Sequence, residues 1–296
     1  MTEPARQIRD GNARALARIA TGIENRDPHA LAILTELAPF AGRAKIVGIT
    51  GAPGAGKSTL VDALAAALRR ANKTVAILAV DPSSGISGGA ILGDRIRMQQ
   101  HHADPGIFIR SMATRGSLGG LARATADLAQ LMDAAGKDYV LIETVGVGQA
   151  EIAIANLAQV TVVVLVPGMG DDVQAIKAGI LEIAGVFAIN KSDQPGADRV
   201  EQELQAMLSL TNGRRPAIVK TVATAGEGIA NLIEAIEEAP THSAAAPPPR
   251  IPLRVANLTE AVASLQAAGA SLQPGPEGHI LVEPGGLLLE LIEEAT

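Results

Sequence analysis

The stretch KIVGITGAPGAGKSTLVDALAAALRR, residues 45–70, decides the fold. Its first six residues are a β-branched apolar run and its last twelve an Ala/Leu-rich helical run. Between them Gly51-Ala52-Pro53-Gly54-Ala55-Gly56-Lys57-Ser58 fits G-x-x-x-x-G-K-[ST], with Thr59 opening the helix. A phosphate-binding loop needs this strand–loop–helix context. The glycines let the backbone curl so that successive N–H groups face a β-phosphate, and the helix N-terminus adds partial positive charge. Lys57 then bridges β and γ oxygens, and the Ser58 hydroxyl takes Mg²⁺.

Outward from this stretch, six further apolar runs alternate with helical segments: TVAILAV (74–80), IFIRSM (107–112), YVLIE (139–143), VTVVVLV (160–166), VFAIN (186–190) and AIVKTVA (217–223). Continuous apolar strands separated by helices predict a mostly parallel sheet covered on both faces, a doubly wound α/β domain over 45–239. Residues 1–44 read as a helical N-terminal extension. One helix is expected over 7–23, and a second starts with Asp27 as N-cap and Pro28 as first helical residue and ends near Pro39. PTHSAAAPPPR, residues 240–250, is a Pro/Ala-rich linker. Beyond it, 251–296 reads as a small β-α-β-β-β module of about 45 residues, a size at which one core struggles to be stable alone.

Composition removes several functions. The 296 residues are 47% hydrophobic and 19% charged, enough to build a core from Ala, Leu, Ile and Val. Only 1% are aromatic, so a stacking platform for single-stranded nucleic acid is hard to supply. The net charge is −6, of which the tail from Ile251, with one Arg and six Glu, carries −5. The nearly neutral body has no basic stripe, and nucleic acid is not expected as a partner. With no cysteine there is no disulfide, thiolate metal site or cysteine nucleophile, which suits the cytoplasm. The charged N-terminus and the absence of a long apolar run predict neither signal peptide nor membrane helix.

Asn190-Lys191-Ser192-Asp193 ends the run VFAIN and fits N-K-x-D, in which the Asp accepts from the N1–H and exocyclic amine of guanine. Adenine offers neither donor, so the carboxylate would be left unpaired under the base. Thr224-Ala225-Gly226 resembles the short loop that completes guanine recognition through backbone N–H groups. Candidate Mg²⁺ carboxylates are Asp81, Asp94 and Glu143. Glu143-Thr144-Val145-Gly146 has the form of a γ-phosphate sensor, the Gly146 N–H meeting the phosphate and the segment to Gln149 following it. Residues 168–177 leave VTVVVLV through a glycine turn into a helix carrying Gln174 and Lys177. His101 and His102 are adjacent, so they point apart and make a poor chelate.

With these residues quoted, the chain from Gln7 to Ala239 resembles the MeaB/ArgK family of GTPases. GAPGAGKSTL, AVDPSS, GGAILGDRIRM, ETVGVGQAE, GMGDDVQAIKAG and NKSD stand in that family's order. The resemblance implies GTP/GDP and Mg²⁺ as ligands, with Asp81, Asp94 and Glu143 around the metal. It implies that Gln174 and Lys177 belong to an extra switch, and that the partner is an adenosylcobalamin-dependent methylmalonyl-CoA-type mutase whose cofactor loading is gated. A family dimerisation arm is replaced here by the proline linker, which leaves a homodimer open. The tail ending GGLLLELIEE resembles the last module of methylmalonyl-CoA epimerase. Glu290 stands at that family's last metal position, but the expected His is absent, with Pro249 and Arg250 in its place, so no epimerase activity is expected. The alternatives are a nickel metallochaperone GTPase, which normally needs a Cys or His cluster and against which zero Cys and only five His weigh, and a small-molecule kinase using ATP, against which Asp193 argues.

Overall fold

A computed structural model describes residues 1–81, 104–113, 118–144, 157–168, 183–209, 215–241, 250–255, 259, 261–262, 264, 272–274, 280–282 and 288–293. The chain divides into two compact units, Met1–His242 and Ser243–Thr296.

In the first unit every apolar run of the sequence becomes a strand: β1 (Lys45–Gly51), β2 (Val75–Asp81), β3 (Ile107–Ala113), β4 (Tyr139–Glu143), β5 (Val160–Leu165), β6 (Val186–Ile189) and β7 (Ala217–Lys220). They form one sheet in the order β3-β2-β4-β1-β5-β6-β7, each neighbouring pair parallel. Every residue of β4, β5 and β6 is buried, as expected for strands covered on both faces. β1 lies centrally between β4 and β5, and the loop that follows it opens at the carboxyl edge, where crevices form in open α/β sheets.

Seven α-helices are described in this unit: α1 (Glu3–Arg9), α2 (Ala13–Glu24), α3 (Pro28–Leu37), α4 (Lys57–Arg70), α5 (Leu118–Ala134), α6 (Ala197–Ser209) and α7 (Ile229–Glu238). Alternate residues of the strands divide the core. Leu78, Val140 and Ile142 face α5 and the N-terminal helices, whose Ile8, Ile19 and Ile33 reach the same cluster. Ile49, Ile77 and Val162 face α4 and α7. Phe187 packs against Leu204 and Leu208 of α6.

The single helix expected over 7–23 is two helices. Gly11 adopts φ +84°, and Asn12 caps α2 by accepting from the N–H groups of Arg14 and Ala15, each at 3.0 Å. The apolar spacing ran on because Ile8 and Leu16 bury into one cluster from separate helices. Asp27 and Pro28 do start α3, Asp27 accepting from the His29 N–H at 3.2 Å. Two arginines tie this layer down. Arg110 on β3 grips both Glu24 oxygens at 2.7 Å, and Arg26 meets Asp127 of α5 at 2.6 Å.

Asp133, 5% exposed near the end of α5, accepts from three successive backbone N–H groups, those of Gly42 (2.5 Å), Arg43 (3.0 Å) and Ala44 (2.8 Å). It fixes the approach to β1. Hydrogen bonds to charged groups are worth roughly 1.5–3 kcal/mol each, but the N–H groups of the exposed Gly42 and Arg43 can turn to water. Asp133→Ala is therefore expected to cost about 3 kcal/mol, a fall of roughly 6–12 °C in Tm measured by calorimetry. At the same amino edge of the sheet, Tyr139 donates its hydroxyl to Glu237 Oε1 of α7. Burial, reinforced by that carboxylate, holds the phenol pKa well above its ordinary value.

The second unit is a four-stranded sheet of β8 (Arg250–Val255), β9 (Leu272–Pro274), β10 (Ile280–Val282) and β11 (Leu288–Glu293), ordered β8-β11-β10-β9. β8 and β11 are parallel and the other pairs antiparallel, with helical residues between 259 and 264. Glu290 is a β11 residue in register with Leu281 of β10 and Pro252 of β8, and Arg250 opens β8, whereas Pro249 lies outside the described residues.

Candidate functional site

The loop after β1 is shaped by positions that admit only glycine. Gly51 has φ +142°, and a Cβ there would sit 2.3 Å from the Val164 carbonyl oxygen on β5. Gly56 has φ +86°, and its Cβ would sit 2.6 Å from Asn190 Nδ2. Gly54, at φ +81°, makes the turn between them. Ala52, Pro53 and Gly54 are exposed at the crest, whereas Ala55 is fully buried. Lys57 opens α4, 6% exposed, and its Nζ donates to the carbonyls of Gly51 (2.8 Å) and Ala52 (3.0 Å). The ammonium is therefore held inside the loop that surrounds it.

On the next residue the Ser58 hydroxyl donates to Glu143 Oε1 at 2.5 Å. Glu143 is the last residue of β4 and is 8% exposed. Asp81 ends β2, whose Ala79 is in register with Glu143, so Asp81 and Glu143 stand at the carboxyl edge of two adjacent strands, with Ser58 in the first turn of α4 bonded to Glu143. An all-oxygen set of hydroxyl and carboxylate suits a hard cation such as Mg²⁺. Asp94, Gly146, Gln149, Gln174, Lys177, His101 and His102 lie outside the described residues.

The base-reading loop meets the phosphate loop directly. Asn190, 2% exposed, donates through Nδ2 to the Ala55 carbonyl at 2.9 Å. Its Oδ1 accepts from Thr221 Oγ1 and from the Ala223 N–H, both at 3.2 Å. Lys191, at φ +54°, donates through Nζ to the Gly54 carbonyl at 3.0 Å. An open pocket of about 210 Å³ results, lined by Gly56, Thr59, Asn190, Lys191, Asp193 and Thr224 from the expected set and by Gln194, Val222 and Ala223 around them. Asp193 is exposed there, its carboxylate accessible to a ligand.

Some expected residues take a different place from others. Thr224 lines the pocket, but Ala225 and Gly226 do not, their N–H groups closing a turn onto Val222 and Ala223 carbonyls at 3.0 and 3.3 Å. Asn190 has both ends of its amide engaged by protein and so acts as a strut between loops. Sequence reasoning missed Thr221, which is 1% exposed and orients that strut, and Gly228, whose Cβ would lie 2.0 Å from the Lys220 carbonyl oxygen. The one available signal was a threonine and a glycine flanking an expected loop.

The profile of the family described as methylmalonyl-CoA mutase-associated GTPase MeaB matches residues 16–248. The chain belongs to the MeaB family. Among its relatives, a Pyrococcus abyssi protein named as a GTPase is 52% identical over 238 residues, covering 78% of this chain and 74% of that one. The GTPase ArgK of Escherichia coli is 41% identical over 197 residues, 65% of this chain and 60% of that one. A mouse protein named methylmalonic aciduria type A homolog, mitochondrial, is 41% identical over 199 residues, 65% of this chain and 48% of that one. A solved structure described as the LAO/AO transport system kinase superposes with a TM-score of 0.64 at 30% identity, over 80% of this chain and 73% of that one. This MeaB-family chain is accordingly a GTPase that binds guanine nucleotide on a P-loop fold. The family match ends at residue 248, before the tail. Among the described residues, no helix is long and apolar enough to cross a membrane.

Proposed function

We propose that this GTPase is a chaperone of an adenosylcobalamin-dependent acyl-CoA mutase of the methylmalonyl-CoA type, using GTP binding and hydrolysis to gate cofactor loading and protect the mutase. The observation that carries this reading is the match over residues 16–248 to a family described by its association with that mutase. The name of the mouse relative points to the same metabolism.

The crevice supports the nucleotide half of the reading. Lys57 and the N–H groups from Gly51 to Ser58 bind the β- and γ-phosphates, and Asp193 accepts from the guanine edge while Thr59, Ala223 and Thr224 flank the base. Ser58 and Glu143, with Asp81 and Asp94 as further carboxylates, would hold Mg²⁺. When bound, the ion supplies positive charge to the phosphate oxygens. Gly146, Gln174 and Lys177 carry the signal between nucleotide state and client.

P-loop GTPases gain about 10³–10⁵ in rate when a partner supplies charge to the transferring phosphoryl group. The test is steady-state GTP hydrolysis with and without the mutase from the same source. A large rise in kcat on adding mutase is expected. Intact GDP binding with no change in rate would overturn the chaperone assignment and leave the GTPase.

A further inference from the structure

At the carboxyl edge of the sheet two buried hydroxyls face each other. Thr50, 2% exposed, is the residue of β1 immediately before Gly51, and Thr144, 3% exposed, immediately follows Glu143. Thr144 Oγ1 donates to Thr50 Oγ1 at 3.1 Å, and the Thr144 N–H donates to the Ile49 carbonyl at 3.0 Å. The backbone bond carries the β1–β4 ladder one rung beyond the register pair Ile49 and Glu143.

The placement is more telling than the bond. The buried strand positions leading up to this level are apolar, Val47 and Ile49 on β1 and Val140, Leu141 and Ile142 on β4, until Glu143 at the end of β4. A valine would fill either threonine site at the same volume without burying a polar atom, and replacing both partners of a buried hydrogen bond by apolar groups of the same shape is close to neutral for stability. Packing alone therefore gives no reason for two hydroxyls. They occur at the one level where β1 becomes the phosphate loop and β4 becomes the segment that starts at Thr144. A hydroxyl pair is directional where a valine pair is not. It holds the height and rotation of the two strand ends, and with them the Ser58–Glu143 contact.

We infer that the Thr50–Thr144 hydroxyl pair is a positioning element for hydrolysis: it registers Glu143 against the phosphate loop, without touching nucleotide. The inference rests on the reading of this crevice as the GTP site. Because the loop's own contacts, Lys57 to Gly51 and Ala52 and Asn190 to Ala55, do not pass through either threonine, ground-state binding is insulated from the pair.

The test is a set of three variants in the full chain, Thr144→Val, Thr144→Ser and the double Thr50→Val/Thr144→Val, each measured for GDP Kd, GTP KM and kcat. Thr144→Val is expected to lower kcat about tenfold, the scale of one hydrogen bond, and to leave GDP Kd within about twofold. Thr144→Ser restores kcat, since it keeps the hydroxyl and loses only a methyl. The double variant falls no further than Thr144→Val and unfolds at the wild-type temperature. A Thr144→Val enzyme with wild-type kcat, a parallel loss of GDP affinity, or a Thr144→Ser variant as impaired as Thr144→Val would overturn the proposal. Wild-type protein that binds no GDP would instead overturn the site reading beneath it.

Discussion

Lys57→Ala is expected to lower GDP affinity by about a hundredfold or more, measured by isothermal titration calorimetry. The side chain does two jobs from one buried position. Its ammonium binds the carbonyls of Gly51 and Ala52, which keeps the backbone N–H groups turned toward the centre of the loop. It also puts a unit of positive charge where the phosphates sit. Hydrogen bonds to a charged group are worth roughly 1.5–3 kcal/mol each, and two such contacts with phosphate oxygens already amount to a hundredfold. Loss of the carbonyl contacts adds to this, because the loop must then be ordered by the ligand. Unchanged GDP affinity in this variant would remove the phosphate assignment altogether.

The second large effect is a change of base. Asp193→Asn is expected to weaken GDP binding by about a hundredfold or more and to confer binding of xanthosine diphosphate. The carboxylate presents two acceptors to the N1–H and the 2-amino group of guanine. An amide keeps one acceptor and replaces the other with an N–H₂ group, which opposes the guanine amine and matches the 2-oxo group of xanthine. Asp193 lines the pocket and is exposed, while the neighbouring Asn190 is consumed by the strut, so the exchange alters recognition with little cost to the fold. Competition of GDP and xanthosine diphosphate for a fluorescent guanine nucleotide reads both halves. An Asp193→Asn variant that keeps its preference for GDP would show that the base is read elsewhere.

Much of the sheet was legible because its signal is redundant. Runs such as VTVVVLV are both β-branched and continuously apolar, the pattern of a strand covered on both faces, while IFIRSM and AIVKTVA, interrupted by Arg110 and Lys220, are the edge strands β3 and β7. The strand order was not legible, since β4 inserts between β1 and β2 and local pattern carries no pairing information. The N-terminal break failed for a related reason: Gly11 and Asn12 are a capping pair, but the apolar spacing on either side happens to stay in phase. Within the site, the residues that touch ligand are encoded as contiguous motifs and could be read. The residues that connect motifs could not. Ala55 and Asn190 are 135 positions apart, and Thr50 and Thr144 are 94 apart. Their pairing exists only once the strands are laid side by side.

Tyr139 has a practical consequence in the optical spectrum. The chain contains no tryptophan and only this tyrosine, whose hydroxyl is held by Glu237 at the end of α7. Near-ultraviolet absorbance of the protein therefore comes from one phenol and three weakly absorbing Phe rings. A guanine ring bound to the same molecule absorbs far more strongly than they do. The ultraviolet spectrum of a purified preparation thus reads nucleotide occupancy without any label, and tyrosine emission from that preparation reports a single contact at the foot of β4.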